Sequence, residues 1–253
     1  MSGIDPISAT TSKVTMFFNE TELSTGTCFF WRANSGVYLV TNWHNLSGKD
    51  NITGKHLSDK LAEPNAIEFN IILNADNGPV IGKWRFPLLH DDDRPRWLEH
   101  PTFGKRVDVV ALALGRELGS AVCLNDHAKS RLLISVAMDV FVIGYPLGIG
   151  VKDVPLWKRG TIASEPDLDV DDLPLLYVDT ATTKGMSGSP VLLRASSGRM
   201  EDGSTTMSSS RIMNRVVGVY SGRVAQKNGL DAQLGRVWKA HLIDEIIAQR
   251  SAG

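Results

Sequence analysis

Cysteine is scarce in this chain: Cys28 and Cys123 are the only two among 253 residues. So few, and so far apart, they form no disulfide framework, and the fold is expected not to depend on one; whether the two pair is left open. A surplus of one charge is also missing. Lys and Arg number 27 against 28 Asp and Glu, a net charge of −1, which gives no electrostatic footing for nucleic acid or an anionic membrane surface. No apolar run approaches the length of a bilayer span. The start, Met1-Ser2-Gly3-Ile4-Asp5-Pro6, lacks the basic head and apolar heart of a secretory signal. These absences point to the cytoplasm, with neither membrane nor nucleic acid as partner. With 42% hydrophobic and 22% charged residues, the chain has the composition of an ordinary globular protein.

Short apolar segments separated by polar turns fill most of the length. In the first half they fall at 14–18, 27–31, 37–40, 66–73, 80–86 and 107–114. In the second half they fall at 136–143, 160–163, 175–178, 190–193 and 216–220. Several alternate with period two, as in Ile67-Glu68-Phe69-Asn70-Ile71, the mark of a half-buried strand. Many short strands with regular turns predict an all-β sandwich or barrel. Residues 1–115 form one expected lobe, 116–133 a connector and 134–253 a second lobe. Residues 1–12, rich in Ser and Thr, read as loose, and 47–63, 90–100 and 195–210 as exposed loops. Only the end looks helical: within 237–247, Leu242, Ile243, Ile246 and Ile247 share one face, which would pack on the second lobe.

Three stretches carry chemistry. Residues 179–190 read Asp-Thr-Ala-Thr-Thr-Lys-Gly-Met-Ser-Gly-Ser-Pro, a tight loop between two apolar runs. Gly185 and Gly188 permit backbone angles forbidden to other residues, so the loop can aim successive N–H groups at one point around Ser187, as an oxyanion hole requires. Residues 38–46 carry a strand into a polar turn with His44 at its end. Residues 107–114 are an apolar strand with Asp108 at its mouth, and a carboxylate buried there needs a hydrogen-bond donor; an imidazole N–H would serve. Each stretch alone has a plain structural explanation. Together, the order His44, Asp108, Ser187 is that of chymotrypsin-type enzymes and not of α/β-hydrolases or subtilisins.

The acidic run at 167–172 alternates carboxylates but lacks the Gly and Glu of a calcium loop, and reads as a hydrated surface. The cysteines and remaining histidines show no zinc spacing, and the Gly-rich run 144–150 lacks a phosphate-loop Lys. No metal or cofactor is expected.

On the residues just quoted, the chain resembles the trypsin-like serine peptidases, and within them the HtrA/Deg branch, from about residue 24 to 247. Val40-Thr41-Asn42-Trp43-His44, Val107-Asp108-Val109-Val110-Ala111-Leu112 and Gly185-Met186-Ser187-Gly188-Ser189-Pro190 carry it. So do Val142-Ile143-Gly144-Tyr145-Pro146-Leu147-Gly148, Gly160-Thr161-Ile162-Ala163-Ser164, Val217-Gly218-Val219-Tyr220-Ser221 and Leu234-Gly235-Arg236-Val237. The resemblance implies two six-stranded β-barrels with a C-terminal helix and a cleft between the barrels. It implies a serine endopeptidase with Ser187 as nucleophile, His44 as base and then acid, and Asp108 as its orienting carboxylate. Gly185 and Ser187 would supply the oxyanion hole, and Ser221 would donate to Asp108. Residues 220–223, that is Tyr220, Ser221, Gly222 and Arg223, would offer an edge strand to a peptide. Ala181 would floor the pocket for the side chain before the scissile bond, favouring a small or medium apolar residue, unless Asp231 turned inward and selected Arg or Lys. Ser189 stands where the family usually has Gly. No Cys follows His44, no Ile-Val-Gly-Gly start is present, and the chain ends without the PDZ domain of the HtrA branch, so restraint would have to come from loops or a regulatory partner protein. The rival is a protease-like binding scaffold whose triad is held in an unproductive geometry.

Overall fold

The computed structural model describes residues 3–33, 36–75, 78–207, 212–224 and 233–249. The first lobe holds β1 (Thr11–Phe18), β2 (Thr21–Ala33), β3 (Gly36–Thr41), β4 (Ala66–Ala75), β5 (Gly78–Pro87), β6 (Trp97–Leu98) and β7 (Val110–Ala113). They form one antiparallel sheet in the order β5-β4-β1-β2-β3-β7-β6. The second lobe closes a barrel from β8 (Asp139–Gly144), β9 (Leu156–Ile162), β10 (Leu175–Asp179) and β11 (Pro190–Ala195) with two further strands. Those follow a separate hairpin of β12 (Ser197–Arg199) and β13 (Thr205–Met207), and are β14 (Met213–Arg223) and β15 (Leu234–Lys239). Short helices α1 (Trp43–Ser47), α2 (Leu124–His127) and α3 (His241–Ala248) complete the chain. This is the all-β, two-lobed chymotrypsin-like architecture that the resemblance implies. No helix among the described residues is long and apolar enough to cross a membrane.

The period-two pattern does what it should. Ile67, Phe69 and Ile71 point into the first-lobe core with Phe30, Leu39 and Leu112, while Glu68 and Asn70 face outward. Leu176, Val178, Val191, Val217 and Val237 fill the second barrel. Burying such side chains contributes about 1.5–3 kcal/mol each.

Several expectations need correction. The first lobe has seven strands, not six, because the 90–100 segment is not only a loop: Trp97 and Leu98 pair with Leu112 and Ala111. A two-residue strand is too short to show a period. Of the stretch expected to be loose, residues 7–12 are packed: Ile7 is buried, its N–H donates to Asp5 Oδ1 at 2.9 Å, and Thr11–Ser12 open β1. Threonine and serine suit strands as well as loose ends. Within 195–210, the β12–β13 hairpin pairs Ser197 with Met207. Helix α3 begins at His241, and Val237 and Trp238 belong to β15. Its apolar face also does not pack on the second barrel alone. Leu242, Ile243, Ile246 and Ile247 enter a core shared by Phe29, Val107 and Val109 of the first lobe and Leu192, Val219 and Trp238 of the second. Polar ties reinforce this: Trp31 Nε1–H donates to Asp244 at 2.9 Å, and buried His100 meets Glu245 at 2.8 Å. The helix therefore holds the two lobes together. Cys28 and Cys123 are free and buried, and burial pushes the Cys123 thiol up to about 12.

Candidate active site

Strand β3 delivers Asn42 in extended conformation, and α1 starts immediately after it, ending at Gly48 in the left-handed region at φ 68°. His44 sits in this single turn. Its ring Nδ1 lies 2.6 Å from Asp108 Oδ2, and its backbone N–H donates to Asp108 Oδ1 at 2.9 Å. Asp108 is 1% exposed, at the entrance to β7. Both carboxylate oxygens are thus satisfied, and the Asp108 carbonyl accepts from Asn42 Nδ2 at 2.6 Å. An ionised carboxylate can only accept, so Nδ1 carries the proton and Nε2 keeps the lone pair of the neutral ring. Burial of the imidazole pulls its pKa down. The charge of Asp108 and its hydrogen bond outweigh that, Asp50 adds to them and Arg236 opposes them, so the His44 pKa lies above its ordinary value.

The loop carrying Ser187 runs from β10 to β11. Gly185 and Gly188 have φ of 90° and 87°. A Cβ on Gly188 would collide with the Thr27 carbonyl and the Thr41 hydroxyl, and one on Gly185 with the Tyr145 carbonyl. Gly188→Ala is expected to lower stability by about 2–4 kcal/mol, from strain and collision together; the urea midpoint of the variant checks this.

Thr27 of the first lobe clamps the loop. Its N–H donates to Ser187 O at 2.8 Å and its hydroxyl to Gly185 O at 2.8 Å, while Tyr145 N–H donates to that hydroxyl at 3.1 Å. Asn45, next to His44, donates to Ser187 O at 3.2 Å. Leu147 N–H takes Lys184 O at 2.7 Å, and Ser189 N–H takes Met186 O at 3.0 Å. In a planar trans peptide the N–H points opposite its C=O. With the carbonyls of Lys184 and Met186 held this way, the N–H groups of Gly185 and Ser187 are left with no acceptor among the described residues.

Chain order brings together most, not all, of what it suggested. His44 and Asp108 are in direct contact, and Ser187 is tethered to the residue beside His44. No hydrogen bond joins Ser187 Oγ to His44 Nε2 among the described residues. Catalytic hydrogen bonds are often long before substrate binds. Among the described residues, buried Ser221 makes no hydrogen bond to Asp108, whose carboxylate oxygens each accept one bond from His44. Ala181 is exposed; its neighbour Thr182 is buried and bonds through Oγ1 to the Tyr220 hydroxyl. Tyr220 is 1% exposed, with its ring packed where a Cβ on Gly235 would lie. Its backbone bonds Gly188 N at 2.9 Å and Ser189 O at 2.8 Å. Gly222 is half-buried at φ 111° with open space around it, and Arg223 is exposed, its carbonyl accepting from Arg236 at 3.2 Å. Asp231 lies outside the described residues. The hydroxyl of Ser189 is buried where Gly144, lacking a side chain, makes room for it. Sequence reasoning missed Thr27, Asn42 and Asn45. No signal in the sequence pointed to them; in the structure Gly26 makes room for Asn45, whose Nδ2 would lie 2.7 Å from a Cβ there.

Solved structures share this architecture. The active form of the Rv3671c protease from M. tuberculosis is similar at 17% identity and a TM-score of 0.51, over 96% of this chain and 81% of that one. Its inactive form gives 17% and 0.50, over 96% and 89%. The HtrA-type protease AlgW with a tripeptide gives 15% and 0.51, over 96% of this chain and 60% of that one. No curated protein matches. Residues 26–200, more than half of the chain, match the family described as the trypsin-like peptidase domain, and the chain belongs to that family.

Proposed function

We propose that the chain is a serine endopeptidase working through His44, Asp108 and Ser187. The observation that carries this reading is the doubly bonded His44–Asp108 pair beside a clamped loop with two N–H groups left over. Ser187 Oγ attacks the peptide carbonyl as His44 Nε2 takes its proton. The oxyanion is met by the N–H groups of Gly185 and Ser187, and Asp108 stabilises the imidazolium. Collapse breaks the C–N bond, the leaving amine takes the proton from His44, and the acyl group stays on Ser187. Water, with its proton drawn off by His44, then frees the acid and restores Ser187. No cofactor takes part. The two free thiols suit a reducing compartment, in keeping with the cytoplasm. The proteases of similar fold, one of them with a tripeptide, suit a peptide substrate.

On the acyl side, the buried Tyr220 ring lies against Thr182 and Gly235, which favours a small side chain before the scissile bond. Tyr220 and the unmade Ser187–His44 bond are also what favour the rival, a binding scaffold with an idle triad. A fluorophosphonate probe separates the two: the enzyme is labelled at Ser187 and the label is lost in Ser187→Ala, whereas a folded chain that takes no label is the scaffold.

The pH profile follows from the raised pKa of His44. The base must be neutral, so kcat/KM is expected to rise with pH to a midpoint above the ordinary value of about 6.5. A rate falling between pH 5 and 8, with the chain folded, would contradict His44 as base.

A further inference from the structure

We propose that this peptidase selects its substrates through the residue that follows the scissile bond, taking an apolar side chain into a cavity of the first lobe beside His44. The inference rests on the serine-peptidase reading and names its substrate class. A cavity of about 400 Å³ opens against His44, and every residue lining it belongs to the first lobe. Leu23, Leu57, Ala62 and Pro64 give it apolar walls. Leu57 is 55% exposed, an open apolar surface at the cavity.

The cavity is built, not a gap beneath a loose loop. Leu57 N–H donates to Gly48 O at 2.8 Å, just past the helix that carries His44. Lys49 Nζ pairs with Glu63 at 2.7 Å. Asp50 caps the turn below by accepting Thr53 N–H at 2.6 Å. Gly48 lets Pro64 close in, since a Cβ at Gly48 would lie 2.6 Å from Pro64 Cδ.

The reaction itself fixes which residue of the substrate meets this cavity. His44 returns its proton to the departing nitrogen, so the residue bearing that nitrogen lies beside the imidazole. The acyl half lies toward the second lobe, where the Tyr220 backbone bonds the residues following Ser187. There the buried Tyr220 ring is bonded to Thr182 and packed at Gly235. The leaving side of the bond therefore faces an open cavity with apolar walls. Glu22 and Asp59 against Lys60 leave one excess negative charge among the lining residues, so an acidic side chain is disfavoured there. Selection falls where surface can be buried.

The test uses the full chain and a peptide library varied independently on each side of one scissile bond, with fluorophosphonate labelling run in parallel. Peptides with Leu, Ile or Phe after the bond are expected to be cleaved about tenfold faster or more than those with Gly or Asp there. Ala62→Trp, which fills the cavity, and Leu57→Ser, which strips its apolar wall, are each expected to bring that ratio within about threefold. Two variants of opposite kind guard against one that misfolds. An ester acyl donor with added leucinamide or glycinamide reads the same side in reverse, because the incoming amine enters where the leaving amine departs; leucinamide is expected to intercept the acyl-enzyme about tenfold better. Equal rates for all residues after the bond, or unchanged selectivity in both folded variants, overturns the inference, while labelling at Ser187 leaves the peptidase reading standing. A folded chain that neither labels nor cleaves overturns both.

Discussion

Ser187→Ala is expected to lower peptide turnover by about a millionfold while leaving the fold intact. The loss is large because the nucleophile begins the whole sequence of steps, and the base and the oxyanion donors have nothing to act on without it. The fold survives because the Ser187 side chain makes no hydrogen bond among the described residues, so removing Oγ leaves no buried partner behind. What holds the loop is main chain: the Ser187 carbonyl, bonded by Thr27 N–H at 2.8 Å and Asn45 at 3.2 Å. The check is kcat in a preparation free of wild type, with the urea midpoint measured alongside. Turnover that persists in the Ala variant would remove Ser187 from the mechanism.

Asp108→Asn is expected to cost about ten-thousandfold in kcat. The position leaves little choice of orientation. The His44 backbone N–H needs an acceptor where Oδ1 now sits, so the Asn carbonyl takes that place and its NH2 faces Nδ1. An NH2 can only donate, which forces the ring proton from Nδ1 to Nε2, the atom that must receive the Ser187 proton. The volume is unchanged, so this is a loss of tautomer and charge and not of packing. With the carboxylate gone, the pH midpoint should also move down, since the Asp108 charge and hydrogen bond raise the His44 pKa. A variant with kcat within tenfold of wild type would mean that Asp108 does not set the ring.

The raised His44 pKa carries a second consequence with the opposite sign. A group whose pKa is higher in the folded state than in the unfolded chain stabilises the fold most when protonated. That contribution is full below about pH 6.5, the unfolded value, and fades as pH climbs through the folded value. Activity is gained over the same window, so the form that cleaves best forgoes this stabilisation.

Much of this was legible from residue types alone. A carboxylate at the mouth of an apolar strand needs a donor, and His44 is that donor. Two glycines around a serine imply a backbone no side chain could follow, and both have positive φ. The period of 67–71 named the inward residues of β4. The failures have a common cause. Sequence shows which residues are apolar or polar, but not which partner reaches a group first. Asp108 meets a backbone N–H and an imidazole, both from His44, and not the Ser221 hydroxyl. Tyr220 was expected in an edge strand open to a peptide, yet its ring turns inward beside two small positions, Thr182 and Gly235. Helix α3 showed its apolar face but not that the face is divided between two lobes. Thr27 gave no signal, because a threonine in a strand is ordinary and its use lies 158 residues away at Gly185.

Under the proposed mechanism, the Thr27 clamp makes the protein a coincidence device. During synthesis the first lobe emerges with the base and its carboxylate but no nucleophile. The second lobe then emerges with Ser187, in a loop whose Gly185 and Ser187 carbonyls find their donors on β2 and beside His44. Neither half holds His44, Asp108 and Ser187 together by itself. A chain of this design is inert toward its ribosomal neighbours until both lobes have folded and docked, and anything that pries the lobes apart parts Ser187 from His44 and Asp108.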